Sequence, residues 1–350
     1  MTHPFISAAI FSGLALLGFS SCSDDAAASS GPQIHAFDLA ADARPSIAFV
    51  TNGVDPFWTI AAAGARDGGK EFESDVDVQM PTGGVPDQKR IVEGLLARGV
   101  HGIAISPIDG VGEAGLITQA GTQTNIITQD SDSPNSQRIC YVGMDNYYAG
   151  RMCGELVKEA LPEGGTVMIF IGRLEQDNAK RRRQGVIDVL LGRPVNPESY
   201  DPPGKALKGE KYTILATRTD QFDLVRAKAN AEDSIVSYPD LGCMVGLFAY
   251  NPPACIEALK SADKLGKIKL VAFDEDNVTL QGILDGHIHG TVVQNPYEYG
   301  RVSVRILTGL ARGDRSVLPE GGFLDIAARQ IRKDNCQSFW NDKKQKLGGK

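Results

Sequence analysis

The chain has 350 residues, 42% of them hydrophobic, enough to bury one large core or two ordinary ones and too apolar for a disordered protein. A formal net charge of -7 and a pI near 5.4 leave no broad positive field, which excludes nucleic acid and anionic membrane surfaces as the main partners. What remains is a small neutral ligand or another protein.

The first segment, MTHPFISAAIFSGLALLGFSSC, holds an apolar run from Phe5 to Phe19 that falls short of the ~20 residues a spanning helix needs, with small residues before Cys22. It reads as an export signal. Residues 1–22 resemble a bacterial lipoprotein signal whose lipobox is Phe19-Ser20-Ser21-Cys22, with Phe19 standing where Leu is usual. The resemblance implies a lipid on Cys22 and an extracytoplasmic, lipid-anchored protein on the periplasmic side of a bacterial membrane; an ordinary cleaved signal is the alternative. Residues 23–43, rich in Ala, Ser and Asp, read as a flexible tether.

From Ser46 onward short β-rich runs alternate with helix-length stretches: SIAFV, DVDVQM, GIAISP, NIIT, GTVMIFIG, YTILAT, CMVGLF, KLVAFD and GTVVQ. Between them lie amphipathic segments at Asp87–Ala97, Asn146–Ala160, Asp223–Val236 and Pro253–Lys260. Continuous apolar strands alternating with helices predict parallel sheets covered on both faces. About nine such strands over roughly 280 residues exceed one small sheet and predict an α/β fold of two doubly wound parallel-sheet lobes joined by a hinge. The boundary between lobes falls near Tyr141–Asn146, and Leu191–Lys211, with four prolines, reads as an irregular surface insertion. Cys140 with Cys153 and Cys243 with Cys255 are close enough in sequence to pair, with Cys336 left over, but spacing does not fix connectivity and buried free thiols are an equal reading.

In an open parallel sheet ligands bind beyond the carboxyl ends of the strands, so the residues after each apolar run bear on function. After SIAFV come Asp55, Phe57 and Trp58; after NIIT, Gln129 and Asp130; after CMVGLFAY, Asn251; after KLVAF, Asp274; after GTVV, Gln294. Lys180-Arg181-Arg182-Arg183 lies inside the helix after GTVMIFIG, where one side chain is expected to face the cleft and the rest to be solvated. Carboxylates, amides and a guanidinium can bond hydroxyls in planar pairs, while the C–H face of a sugar or polyol lies on an aromatic ring. The structural alternatives are helix-start packing for Phe57 and Trp58, and helix capping for each Asp or Asn.

These pieces together resemble the ribose-binding type of periplasmic substrate-binding protein over Pro45 to about Gln330. They are DPFW, the Gln-Asp after NIIT, Arg182-x-x-Gly185, Asp-Gln-Phe-Asp at 220–223, FAYN, VAFD and VVQNPYEYG. The resemblance implies sugar contacts from Asp55, Phe57, Trp58, Asp130, Arg182, Phe222, Asn251, Asp274 and Gln294. It implies an N-terminal lobe of residues 44–145 plus about 295–325, and a C-terminal lobe of 146–294 plus the C-terminal end. It further implies a monomer, without cofactor, that delivers a small neutral sugar or polyol to an ABC permease; a sensor presenting its closed form to a membrane receptor or kinase is the alternative. Asp55 stands where ribose binders have Asn and Ser131 where they have Arg, which argues against ribose itself.

Catalysis is not expected. His287-Ile288-His289 could place two rings on one strand face, but no third metal ligand lies nearby in sequence, and exposed strand-edge histidines are the simpler reading. The polar tail KDNCQSFWNDKK holds Trp340 beyond the family's usual end.

Overall fold

Apolar runs bounded by Gly, Pro and Asx become strands at every place where the sequence predicts one. The computed structural model describes Met1 and residues 31–40 and 42–347. The readings of residues 2–30, the lipobox and Cys22 included, lie outside the described residues.

In the first lobe β1 (Ser46–Val50), β2 (Asp75–Gln79), β3 (Gly102–Ile105), β4 (Asn125–Gln129) and β5 (Tyr141–Gly143) alternate with α1 (Pro56–Glu71), α2 (Val85–Ala97) and α3 (Ala114–Ala120). The second lobe begins with α4 (Asn146–Ala160), β6 (Gly165–Ile171), α5 (Asp177–Leu190), β7 (Leu207–Lys208), β8 (Tyr212–Thr219) and α6 (Leu224–Ser237). It continues with β9 (Leu241–Gly246), α7 (Asn251–Ser261), β10 (Lys269–Phe273), α8 (Asn277–Leu284) and β11 (Gly290–Val293). The chain then returns to the first sheet through α9 (Pro296–Ala311) and β12 (Phe323–Asp325), and crosses back with β13 (Arg329–Ile331) and α10 (Lys333–Lys346).

The first sheet has the order β12-β5-β4-β3-β1-β2 and is parallel throughout. The second has the order β13-β11-β10-β9-β6-β8-β7, with antiparallel strands at its two edges. Both faces of each sheet are covered, and the central strands are buried except near their amino-terminal ends, as right-handed βαβ units require.

Each lobe sets its helix spacing with glycine. A Cβ on Gly64 of α1 or Gly300 of α9 would run into the backbone of the other helix. The same holds for Gly150 of α4 and Gly185 of α5, whose Cβ would strike the carbonyls of Arg182 and Tyr147 respectively. Close approach of α5 to α4 therefore fixes the height of Arg182 above the sheet, and Gly185 is the glycine of the Arg-x-x-Gly piece.

Two sequence expectations, on the tether and the basic run, need amendment, and two further points take definite form. The tether predicted to run to residue 43 is bound to the first lobe from its middle: the His35 N–H donates to Asn125 Oδ1 at 2.9 Å, Phe37 N–H to the Ala311 carbonyl at 2.9 Å, and Ile34 packs on the core. Two apolar side chains in a polar segment are enough to dock it, and composition averaged over the segment hides them. All five cysteines of the described residues are buried free thiols, with desolvation raising the pKa of each. The basic run on α5 is not mostly solvated: Arg183 is buried and bonds Thr217 and the carbonyls of Asp201 and Pro202, pinning the 191–211 insertion, while Arg181 pairs with Asp177 at 2.8 Å. The polar C-terminal tail is α10, held to the second lobe by buried Cys336, by Phe339 and by Trp340, whose indole N–H donates to Asn277 Oδ1 at 3.1 Å. At its far end Lys346 lies 6.0 Å from the Tyr297 ring on α9 of the first lobe.

Candidate functional site

The carboxyl ends of both sheets face one cleft of about 360 Å³, open solvent at its mouth included. At the exit of β1, Asp55 is the N-cap of α1: its Oδ1 accepts from Phe57 N–H at 2.7 Å and Trp58 N–H at 3.4 Å, with Pro56 at the first helical position. That cap sets Phe57 and Trp58 in the first turn, edge to face with centroids 4.9 Å apart. Both rings are packed into the lobe core and also line the cleft, so the two readings of DPFW coexist. The Trp58 indole N–H donates to Asn52 Oδ1 at 3.1 Å, Asn52 Nδ2 to Ser106 Oγ at 3.1 Å, and Ser106 Oγ to Asp130 Oδ2 at 3.1 Å.

Asp130 and Asp274 take the same backbone position after β4 and β10, in the left-handed region at φ 59 and 67, which Asp tolerates better than most residues. The turn aims each carboxylate into the cleft. Burial pushes Asp55 up to about 6 and Asp130 up to about 7, and the charge of Asp274 adds to both. Asp274 is raised too, by burial first, against the lowering influence of Arg182 and of Gln294, whose Nε2 donates to its Oδ1 at 2.7 Å. Gln294 in turn accepts from the Tyr299 hydroxyl at 3.2 Å.

Arg182 is 1% exposed. Its terminal nitrogens donate to the Leu247 carbonyl at 2.7 Å and to Asn146 Oδ1 at 3.0 Å, its guanidinium lies 3.9 Å from the Phe273 ring centroid, and Asp274 Oδ2 is 3.9 Å away. Its Nε has no hydrogen-bond partner among the described residues.

Phe222 sits in the left-handed region at φ 63 directly after Gln221 at φ 61, a strained pair of order 1–3 kcal/mol per residue that is held by its surroundings. Its ring stacks on Phe248 with centroids 5.5 Å apart and 12° between planes. Tyr250 beside them is fixed by its hydroxyl on Asp220 Oδ1 at 2.5 Å.

Of the nine ligand residues expected from the sequence, eight line this cleft: Asp55, Phe57, Trp58, Asp130, Arg182, Phe222, Asp274 and Gln294. Asn251 does not. Its side chain turns inward, donating to Asp220 Oδ2 at 2.9 Å and accepting from Phe248 N–H at 3.1 Å, so it holds the Phe248–Tyr250 turn from behind. The lining also includes Asn52, Gln176, Asn178, Phe248, Ala249 and Tyr250, which the sequence reading passed over. Gln176 and Asn178 belong to LEQDN at the exit of β6, a polar cluster that the strand-exit rule reaches. Both amide atoms of Gln176 and the Oδ1 of Asn178 are buried without a partner among the described residues, while Asn178 Nδ2 crosses between lobes to Asp130 Oδ2 at 3.1 Å. The cleft therefore offers carboxylate acceptors, unclaimed amide groups and aromatic faces, and among its lining residues no nucleophile–base pair.

Residues 47–315 match the family described as "Periplasmic binding protein domain". The chain is 22% identical over 278 residues to the ribose import binding protein RbsB of Escherichia coli strain K12, covering 78% of this chain and 87% of that protein. A solute binding protein of an ABC transporter from Burkholderia graminis C4D1M, solved with D-arabinose, superposes with a TM-score of 0.76 at 27% identity, over 86% of this chain and 99% of that one. A XylFII–LytSN complex gives a TM-score of 0.72 at 23% identity, over 83% of this chain and 99% of that one.

Proposed function

The chain belongs to the periplasmic binding protein family, and from that premise we propose that it captures a sugar or polyol between its two lobes and delivers it to an ABC importer. The observation that carries this reading is the convergence, from both sheets, of three carboxylates, a guanidinium and partnerless amides against aromatic rings. Hydroxyls donate and accept at once and can engage all of these groups, while a ring's C–H face lies on Phe57 or on the Phe222–Phe248 stack. Relatives named for ribose and a neighbour solved with D-arabinose support the same ligand class.

Because both lobes contribute contacts, ligand favours the closed arrangement by its differential affinity for it, and a permease can recognise that arrangement. The protein acts by binding rather than catalysis, outside the cytoplasm, tethered through Cys22; fractionation of a Cys22→Ser variant tests the anchor, which fails if wild type is found free of membranes. A thermal-shift panel of pentoses, hexoses and polyols tests the ligand class. At about 100 times its Kd a true ligand adds about 2.7 kcal/mol of stability. A panel without any shift overturns the reading.

A further inference from the structure

The cleft carries more negative charge than its protein partners neutralise. Asp55, Asp130 and Asp274 line it, and Arg182 is the single cationic side chain among the described lining residues. Both terminal nitrogens of that guanidinium are already committed to Leu247 and Asn146, and its approach to Asp274 Oδ2 stops at 3.9 Å. Other nearby cations are used elsewhere. Lys343 donates to the Glu275 carbonyl and Asn277 and is faced by Glu275 and Asp276. Arg173 stands over the Phe222 ring, 5.0 Å from its centroid, and donates to the Gln221 carbonyl.

The acids also have spare acceptor capacity. Asp55 spends Oδ1 on the helix cap, and Asp130 spends Oδ2 on Ser106 and Asn178. The other oxygen of each has no donor within hydrogen-bond distance among the described residues. Asp130 is buried and Asp55 half-buried, and carboxylates so placed are stabilised by a proton or by a cation. A ligand that brings its own cation removes the penalty, and an ammonium group, three donors with no acceptor, complements acceptor-only oxygens.

We propose that the preferred ligand is a polyol bearing a protonated amine, an amino sugar or aminopolyol, with its ammonium against Asp55 and its hydroxyls on Asp130, Asp274, Gln176 and Asn178. The inference rests on the cleft being the ligand site, as argued above. Asp55 is then the specificity-determining residue. It sits beside aromatic faces that also favour a cation, and Asn at this position would keep the helix cap while removing the charge.

The test is calorimetric titration, near neutral pH, with matched pairs: D-glucosamine against D-glucose, D-galactosamine against D-galactose, 3-amino-3-deoxy-D-ribose against D-ribose, and N-acetylglucosamine as an uncharged control. At least one amine is expected to bind ten-fold or more tighter than its neutral counterpart, with acetylation abolishing the gain where glucosamine is that amine. Asp55→Asn should collapse this preference, costing that amine ten-fold or more in affinity beyond whatever the substitution costs its neutral counterpart. Binding without an amine preference in any pair, or an amine preference that survives Asp55→Asn, overturns the inference and leaves sugar capture standing. If no member of any pair binds, the inference falls, and sugar capture falls with it only where the wider panel of pentoses, hexoses and polyols gives no shift either.

Discussion

The first lobe holds its cleft residues with the bonds that start its helix and fill its core, whereas the second builds its share around one buried arginine. In the first, Asp55 is a cap and a cleft acid, and Phe57 and Trp58 are core rings with one edge in the cleft. In the second, Arg182 gathers the Leu247 carbonyl, Asn146 and the Phe273 ring, and Gln176 and Asn178 keep hydrogen-bonding groups unspent. Counting lining side chains as ionised, the first lobe contributes Asp55 and Asp130, while Arg182 and Asp274 cancel within the second. The difference teaches that substitutions in the first lobe disturb fold and ligand together, while the second contains positions that serve the ligand alone. It also places the surplus charge on one side of the hinge, so closure carries two carboxylates toward a guanidinium already in use.

Replacing Arg182 is the strongest way to break this comparison. Arg182→Ala leaves Asp274 buried without its cation and frees the acceptors on Leu247 and Asn146, and losing one partner of a buried charged pair costs about 3–5 kcal/mol. Asn146 opens α4 where the chain passes from the first sheet to the second, and its Nδ2 faces the Tyr141 hydroxyl at 3.2 Å. The loss is therefore expected in denaturant unfolding and in sugar affinity alike. A variant that keeps wild-type stability would show that the second lobe is not organised around this residue.

Trp58 sharpens the contrast from the other side. Trp58→Phe keeps most of the ring volume but leaves Asn52 Oδ1 without its donor, at a cost of about 1–2 kcal/mol of stability. In a Trp340→Phe background Trp58 is the remaining tryptophan, and its emission should shift on addition of a bound sugar because its ring lines the cleft. An emission that ignores ligand would assign the ring to the core alone.

How far the sequence revealed this arrangement follows from the length of each signal. Nine strands of four to eight residues carry apolar runs or, in β2, an alternating pattern, and could be read directly; β5, β7, β12 and β13, two or three residues long, carry no period to detect. The cleft acids were legible because Asp130 and Asp274 end runs of apolar residues. Asn251 ended such a run as well, yet turned inward, because Asp220 thirty-one positions earlier supplied a buried acceptor that strand-exit reasoning does not see. Phe248 and Tyr250 lay inside a stretch that reads as strand end, and Asn52 inside a turn.

The smallest effect isolates the surplus charge itself. Burial raises Asp130 to about 7 from an ordinary value of 3.8, with Arg182 opposing and Asp274 and Asp55 adding, while Ser106 and Asn178 donate to its Oδ2. A carboxyl whose folded value lies above its unfolded value binds its proton more tightly when folded, so its contribution is full below about 4 and is lost as pH rises through about 7. Ligand-free wild type should therefore lose stability between pH 4 and pH 7 through this group. Asp130→Asn removes the titration and keeps a side chain of the same shape, so at pH 4, where that contribution is nearly full, it should stay within about 1 kcal/mol of wild type, the size of one exchanged hydrogen bond. At pH 8 the variant should be the more stable of the two. Parallel unfolding curves for the two proteins across this range would mean that Asp130 does not titrate there, and that the cleft holds its charge by other means.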